Sequence, residues 1–236
     1  LWLPMRATAG LADGNTYVGN INLDAETSHE IAFGFDFRGQ SVYFSPRLFY
    51  KEIKDYIQGT PVTDAQIVMF STMMMNDSMP LQFNNIDAEL YGADFQARWE
   101  ISDSWQLESV VSYVRGTRDD TNDELYRIAP LNGSLTATYT RNTWHTSIEL
   151  EAASAQNKVS AINNEKSSAG YSLWNIHSQK ALTDNLILSA GVKNISDKVY
   201  ADHLTGINRA AGSGIPIGDR TPGNGRNIYT RISYKF

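Results

Sequence analysis

Hydrophobic and polar side chains alternate residue by residue along most of this chain, the two-residue period of extended strands. The last ten residues are plainest: Ile228, Thr230, Ile232, Tyr234 and Phe236 share one face, and Asn227, Tyr229, Arg231, Ser233 and Lys235 the other. Over residues 30–38, Ile31, Phe33, Phe35 and Phe37 oppose Ala32, Gly34, Asp36 and Arg38. Over 91–101, Tyr91, Ala93, Phe95, Ala97, Trp99 and Ile101 oppose Gly92, Asp94, Gln96, Arg98 and Glu100. Charges at alternate positions exclude burial on both faces, so one face meets an apolar medium and the other a polar one.

The same period predicts strands over 131–140 and 144–152, and a weaker form of it over 41–52, 105–115, 171–182 and 186–194. Val110, Trp174 and Ile187 interrupt the weaker runs and are expected to face other protein in a lumen. Nine strands result, and their connections alternate in length: 39–40, 102–104, 141–143 and 183–185 are tight, whereas 53–85, 118–130, 156–169 and 196–226 are long. A soluble sandwich has no reason to place every tight turn at one end. A transmembrane antiparallel β-barrel has short periplasmic turns and long extracellular loops, and strands of ~9–11 residues suffice to cross. The predicted fold class is therefore all-β, a barrel in the bacterial outer membrane with lipid as its surroundings. Nine is an odd number, and single-chain bacterial barrels close with even numbers. Residues 1–24 read as a Gly/Asn-rich loop with no strand before it. Residues 1–236 are thus expected to form the C-terminal part, nine or ten strands, of a larger barrel.

Composition changes the picture in three places. Mean hydropathy of -0.36 and the lack of an apolar run of ~18 residues exclude a transmembrane helix but not a barrel, whose alternation keeps the average low. A net charge of -6 argues against nucleic-acid binding, which needs a basic face. The absence of cysteine removes disulfides, thiolate metal sites and cysteine nucleophiles. No Gly-x-Ser-x-Gly elbow, phosphate-binding Gly-x-x-x-x-Gly-Lys-Ser/Thr loop or His-Glu-x-x-His helix is present, so an enzyme is not predicted.

Several segments together resemble a known family. Residues 19–28 carry Gly19-Asn20, Leu23 and Glu26-Thr27. Residues 49–57 read Phe-Tyr-Lys-Glu-Ile-Lys-Asp-Tyr-Ile. Residues 85–94 carry Asn85, Ala88, Gly92 and Asp94, and 192–200 carry Asn194-Ile195-Ser196-Asp197. With residues 170–173 and the aromatic ending 225–236, these elements are similar in kind and order to the barrel of TonB-dependent outer-membrane receptors. Asp94 stands where that family usually has Glu. The resemblance implies active import of a scarce nutrient, a ferric siderophore or metal chelate, powered by the TonB-ExbB-ExbD complex, with no resident cofactor. It also implies a barrel of about 22 strands with an N-terminal plug, to which nothing in this chain corresponds. Phe236 looks like the terminal aromatic read by the barrel-insertion machinery, and also fits an interfacial anchor.

Candidate ligand residues lie in the long connections. Tyr200, Arg209 and Arg220 suit an anionic chelate, since guanidinium pairs with carboxylate or catecholate oxygens and a ring offers stacking. Five of the six methionines, Met69, Met73, Met74, Met75 and Met79, fall within eleven residues. Thioethers are soft ligands for copper(I), so Met73, Met74, Met75 and Met79 with His203 form a candidate metal set, and a copper-specific receptor is the alternative to a siderophore receptor. The plainer reading is adaptable apolar filler. The acidic group Asp119, Asp120, Asp123 and Glu124 reads as a solvated loop. A passive porin-type barrel and a soluble β-sandwich are the remaining rivals.

Overall fold

The computed structural model describes residues 13–236 together with the backbone of Met5–Arg6. Strands β1 (Met5–Arg6), β2 (Thr16–Val18), β3 (Thr27–Gly34), β4 (Phe37–Arg38) and β5 (Val42–Pro61) precede the helix α1 (Ala65–Met75). After it come β6 (Leu81–Ser102), β7 (Trp105–Arg118), β8 (Asn132–Arg141), β9 (Trp144–Ala153), β10 (Tyr171–Thr183), β11 (Leu186–Lys193) and β12 (Asn227–Tyr234). From β3 to β12 the sheet is an antiparallel meander in chain order, β3 and β4 both pairing with β5. Within this chain it does not close on itself. A sandwich would stack two layers; a single sheet with Ile31, Phe33, Ile148, Ile228 and Ile232 exposed is not one.

The nine expected strands are all present, β3 and β4 making up the first. Strand pairing adds which residues share a face. One row of register partners, Val42, Trp99, Leu107, Ala137, Ile148, Ile176, Val192 and Ile228, runs across eight strands and is apolar throughout. The adjacent row, Arg38, Tyr43, Arg98, Glu108, Thr136, Glu149 and Asn175, is polar throughout. Arg98 Nε donates to Glu108 Oε1 at 2.7 Å within that polar row. Val110, paired with Gln96 and Ser134, lies on the polar face as expected. Trp174 does not: it pairs with Leu150, itself the partner of Leu135, and belongs to the apolar face. The adjacent Leu173, 4% exposed, is the inward residue that blurs the alternation there.

Two expectations need correction. The connection 53–85 is not a loop for most of its length, because β5 and β6 continue as a 20- and 22-residue hairpin beyond what a membrane requires. A bulge marks the change: register shifts between Ile53 and Tyr56, Asp55 adopts a φ of 59°, and Asp87 Oδ1 accepts the Asp55 N–H at 3.3 Å. The described residues of 1–24 are also not simply loop, since β2 pairs in parallel with β6 and is fully buried. The Tyr17 ring stacks on Phe83 at 4.8 Å. Beside it the connection after β7 folds back, seating Leu125 against Ile86 and Ala88. Gly116 permits this, because a Cβ there would lie 2.7 Å from Leu125 Cδ1.

Helix α1 closes the hairpin. Asp64 Oδ1 accepts the Gln66 and Ile67 N–H groups at 2.8 and 3.3 Å, and Asn76 in the left-handed region ends the helix. Among the described residues no helix is long and apolar enough to cross a membrane.

Candidate functional site

The long connections gather at the end of the sheet opposite the four tight turns and are tied together by three anchors. Asp13 Oδ2 accepts hydrogen bonds from the hydroxyls of Tyr17 at 2.6 Å and Tyr126 at 2.9 Å. Burial, reinforced by the Asp13 charge, holds both phenols well above their usual range and keeps them as donors. Glu165, its side chain 4% exposed, is the second anchor. Its Oε1 accepts the Arg127 N–H at 3.1 Å and faces His203 Nε2 at 3.1 Å, and its Oε2 accepts the Ser160 N–H at 3.0 Å. The third is Arg220, which donates to the Lys166 carbonyl at 2.6 Å and to the His203 carbonyl. Burial lowers its pKa.

A pocket of about 230 Å³ opens between these anchors, lined by Asp13, Tyr126, Arg127, Asn163, Lys166 and Arg220 among others. Two of its lining groups, Asn163 Nδ2 and Arg220 Nε, are buried donors with no protein partner. Its two acids are already engaged by the hydrogen bonds above.

Two of the three expected chelate contacts come together. Tyr200 and Arg220 line one pocket of about 290 Å³ with Lys166 and Lys198, while Arg209 is exposed and is not in that lining. Tyr200 packs on the Tyr171 ring at 4.6 Å, and Tyr171 donates to Asp202 at 3.1 Å. Burial raises the Tyr200 pKa.

The metal candidates are more dispersed. Met73, Met74 and Met75 end helix α1, with Met73 and Met74 75% and 64% exposed, and Met79, 71% exposed, follows it. Consecutive helical residues diverge by about 100°, so these three thioethers do not converge. Met69, 61% exposed, stands four residues before Met73 on one side of the helix and makes the better pair. His203 is 2% exposed; Ser168 occupies its Nδ1 and Glu165 its Nε2, and no methionine is among its hydrogen-bond partners. Among the described residues no group of three His, Asp or Glu could hold a metal ion. The acidic group is likewise engaged: Arg118 grips Asp120 at 2.6 and 2.9 Å, and Asp123 accepts from Ser160, Ala161 and Ile162. Phe236 lies just beyond β12, edge-on to Tyr234 at 5.0 Å.

Sequence reasoning missed Asp13, Asn163 and Glu165. Besides near neighbours, each has a partner 38 to 148 residues away in the chain, and no local spacing announces those distant ties.

A meandering sheet with one apolar and one polar face, tight turns at one end and packed loops at the other, defines an outer-membrane barrel wall. Over residues 4–195 the sequence matches the family described as TonB dependent receptor-like, beta-barrel. The chain belongs to the TonB-dependent receptor family of the bacterial outer membrane, a family of transporters rather than enzymes. No curated protein matches the sequence. Among solved structures it is similar to the copper transporter OprC, with a TM-score of 0.81, 22% identity, and coverage of 92% of this chain and 32% of that one. It is similar also to the ferric enterobactin receptor PfeA of Pseudomonas aeruginosa, with a TM-score of 0.67, 16% identity, and 94% and 33% covered. For the siderophore receptor PirA of the same organism the TM-score is 0.61, with 19% identity and 99% and 34% covered. The chain spans about a third of the length of these structures.

Proposed function

We propose that this chain is the C-terminal wall and part of the ligand-collecting mouth of an active outer-membrane importer. The complete receptor would have about 22 strands around a plug and draw its energy from the TonB-ExbB-ExbD complex. Its cargo is a scarce metal in chelated form. The observation that carries the reading is the fixed loop assembly: Asp13, Glu165 and Arg220 hold the mouth in one shape, with Tyr200 and Arg220 facing a shared pocket. A passive porin needs no such preorganised recognition surface. Tyr200, Arg209 and Arg220 contact the chelate, and Phe236 marks the barrel for insertion. Accumulation of labelled iron and of copper, in cells with and without the receptor, tests the reading. Receptor-dependent uptake that collapses without TonB supports it; uptake indifferent to TonB contradicts it.

A specific observation favours copper as the cargo. Helix α1 presents Met69 and Met73 outward at one-turn spacing, with Met74 and Met79 exposed nearby. Exposed thioethers gain nothing as filler, whereas a pair of them offers copper(I) its preferred donors. The fold likeness to the copper transporter OprC is in keeping with it. Met69→Leu with Met73→Leu keeps the apolar volume and removes both sulfurs. At least a severalfold loss of copper uptake with iron uptake intact is expected, and unchanged copper uptake removes the copper reading.

A further inference from the structure

At the tight-turn end, the apolar face changes character around the β8–β9 turn. Arg141, Trp144, Lys180, Leu188 and Ile232 form one register row, and Trp105, Tyr139, Thr146, Ser178, Ala190 and Thr230 the row above it. Both rows lie on the membrane-facing side, two residues apart along each strand, in step with the apolar row through Ile148. They contain two cations, three aromatic rings and no carboxylate. The acids nearest along the chain, Asp103 and Asp184, lie in the turns and not in these rows.

Neither cation is paired with a carboxylate. The side chain of Arg141 is exposed and makes no hydrogen bond or ion pair among the described residues. A lysine at an interface ordinarily reaches away from the wall toward water. Here Lys180 Nζ instead lies over the Trp144 ring, 5.5 Å from its centre, which keeps the charge against the sheet. Trp144 is fixed in turn: its Nε1 donates to Ser178 Oγ at 2.7 Å, and Ser178 shares a hydrogen bond with Thr146 at 2.9 Å. Ala190, Ser178 and Thr146, the small residues of the row above the cations, continue that row from Trp105, which packs on Tyr139 at 5.0 Å.

We propose that this patch binds one anionic glycerophospholipid of the periplasmic leaflet. Its phosphodiester sits between Arg141 and Lys180, its glycerol ester oxygens lie toward Ser178 and Thr146, and an acyl chain lies along the small side chains of that row and the apolar row through Ile148. Short turns mark the periplasmic end, and the leaflet there is built of phospholipid. Basic groups at headgroup depth favour a lipid of net negative charge; a zwitterionic headgroup carries the same phosphodiester, but its ammonium group offsets that charge and is repelled by the two cations. The inference rests on the membrane reading of the apolar face.

Native mass spectrometry of the full-length receptor, purified in detergent and titrated separately with phosphatidylglycerol and phosphatidylethanolamine, tests it. The wild-type receptor should retain phosphatidylglycerol in preference. Arg141→Gln with Lys180→Gln should lower that preference roughly tenfold, while Arg141→Lys with Lys180→Arg keeps it. The single variants Arg141→Gln and Lys180→Gln carry the same test, with a smaller loss each, if the double variant does not fold. Equal retention of the two lipids by the wild type, or an unchanged preference in the glutamine variants, overturns the proposal while leaving the membrane reading standing. A receptor that retains neither lipid and stays dispersed without detergent overturns both.

Discussion

Glu165 ties three segments of the mouth together, because one buried carboxylate serves the Arg127 and Ser160 N–H groups and His203. Glu165→Ala strands those groups, and each buried unsatisfied group costs about 1–3 kcal/mol. Hydrogen–deuterium exchange should therefore accelerate together in 156–169 and 196–226; exchange confined to either segment would show that the two are not coupled through this residue. Gly223 is set differently: its N–H donates to the Tyr200 carbonyl at 2.8 Å, and a Cβ would run into the Tyr200 ring. Gly223→Ala should displace that ring at a cost of about 1–3 kcal/mol, seen as a lower unfolding temperature and weaker ligand binding. Asp120 supplies a pH dependence. The hydrogen bonds from Arg118 hold its carboxyl below the usual range, so the folded pKa lies under the unfolded one. The stabilisation is present above the ordinary carboxylate pKa of about 4 and is lost as pH falls through the lower folded value. Half exposure of Asp120 keeps the effect small. Protection of residues 118–122 relative to the intrinsic exchange rate at each pH should fall on acidification, and Asp120→Asn should abolish that pH response.

At the level of elements, the β5–β6 hairpin decides what reaches the outside. Its membrane part was legible from period two, most plainly where Phe95, Ala97 and Trp99 alternate with Asp94, Gln96, Arg98 and Glu100, and less so in β5, where Phe49 separates Leu48 from Tyr50. The part above the bulge was not. Pro61, Pro80 and the Asn84-Asn85 pair depress strand propensity, and pairing across the hairpin overrides it. Helix α1 was invisible for another reason: Ile67, Val68, Met69 and Phe70 are apolar in succession, so no 3.6-residue stripe appears. The helix depends on its caps. Asp64→Ala should cost about 1 kcal/mol and, on the copper reading, weaken metal binding by spreading Met69 and Met73; an unchanged metal affinity would separate the methionines from the helical geometry. Trp174 shows the limit of single-strand reading, since Leu173-Trp174 offers two apolar neighbours and only the pairing with Leu150 assigns the face. Tyr200 and Arg220 were singled out from residue type and do line one pocket, but the anchors that shape the mouth come from distant segments.

For the whole molecule the governing fact is segregation by register: a row of eight apolar residues beside a row of seven polar ones, repeated across the sheet. Water on both sides would leave the first row unexplained, and hydrocarbon on both would put the Arg98–Glu108 ion pair and Glu149 into lipid. Ile148→Arg should accordingly destabilise the barrel by about 2–4 kcal/mol if the site lies near the bilayer midplane, whereas Thr136→Arg on the polar face should be tolerated. The most direct test uses the absence of cysteine in this chain. Single cysteines at Leu107, Ala137, Ile148 and Ile176, and at the neighbouring Glu108, Thr136, Glu149 and Asn175, carry spin labels in the membrane-embedded receptor. Collision rates with oxygen, which concentrates in hydrocarbon, and with a water-soluble nickel chelate are then compared. The account predicts high oxygen and low nickel access for every label of the first set, and the reverse preference for every label of the second. Equal access in the two sets, or nickel reaching the first set as freely as the second, would contradict it.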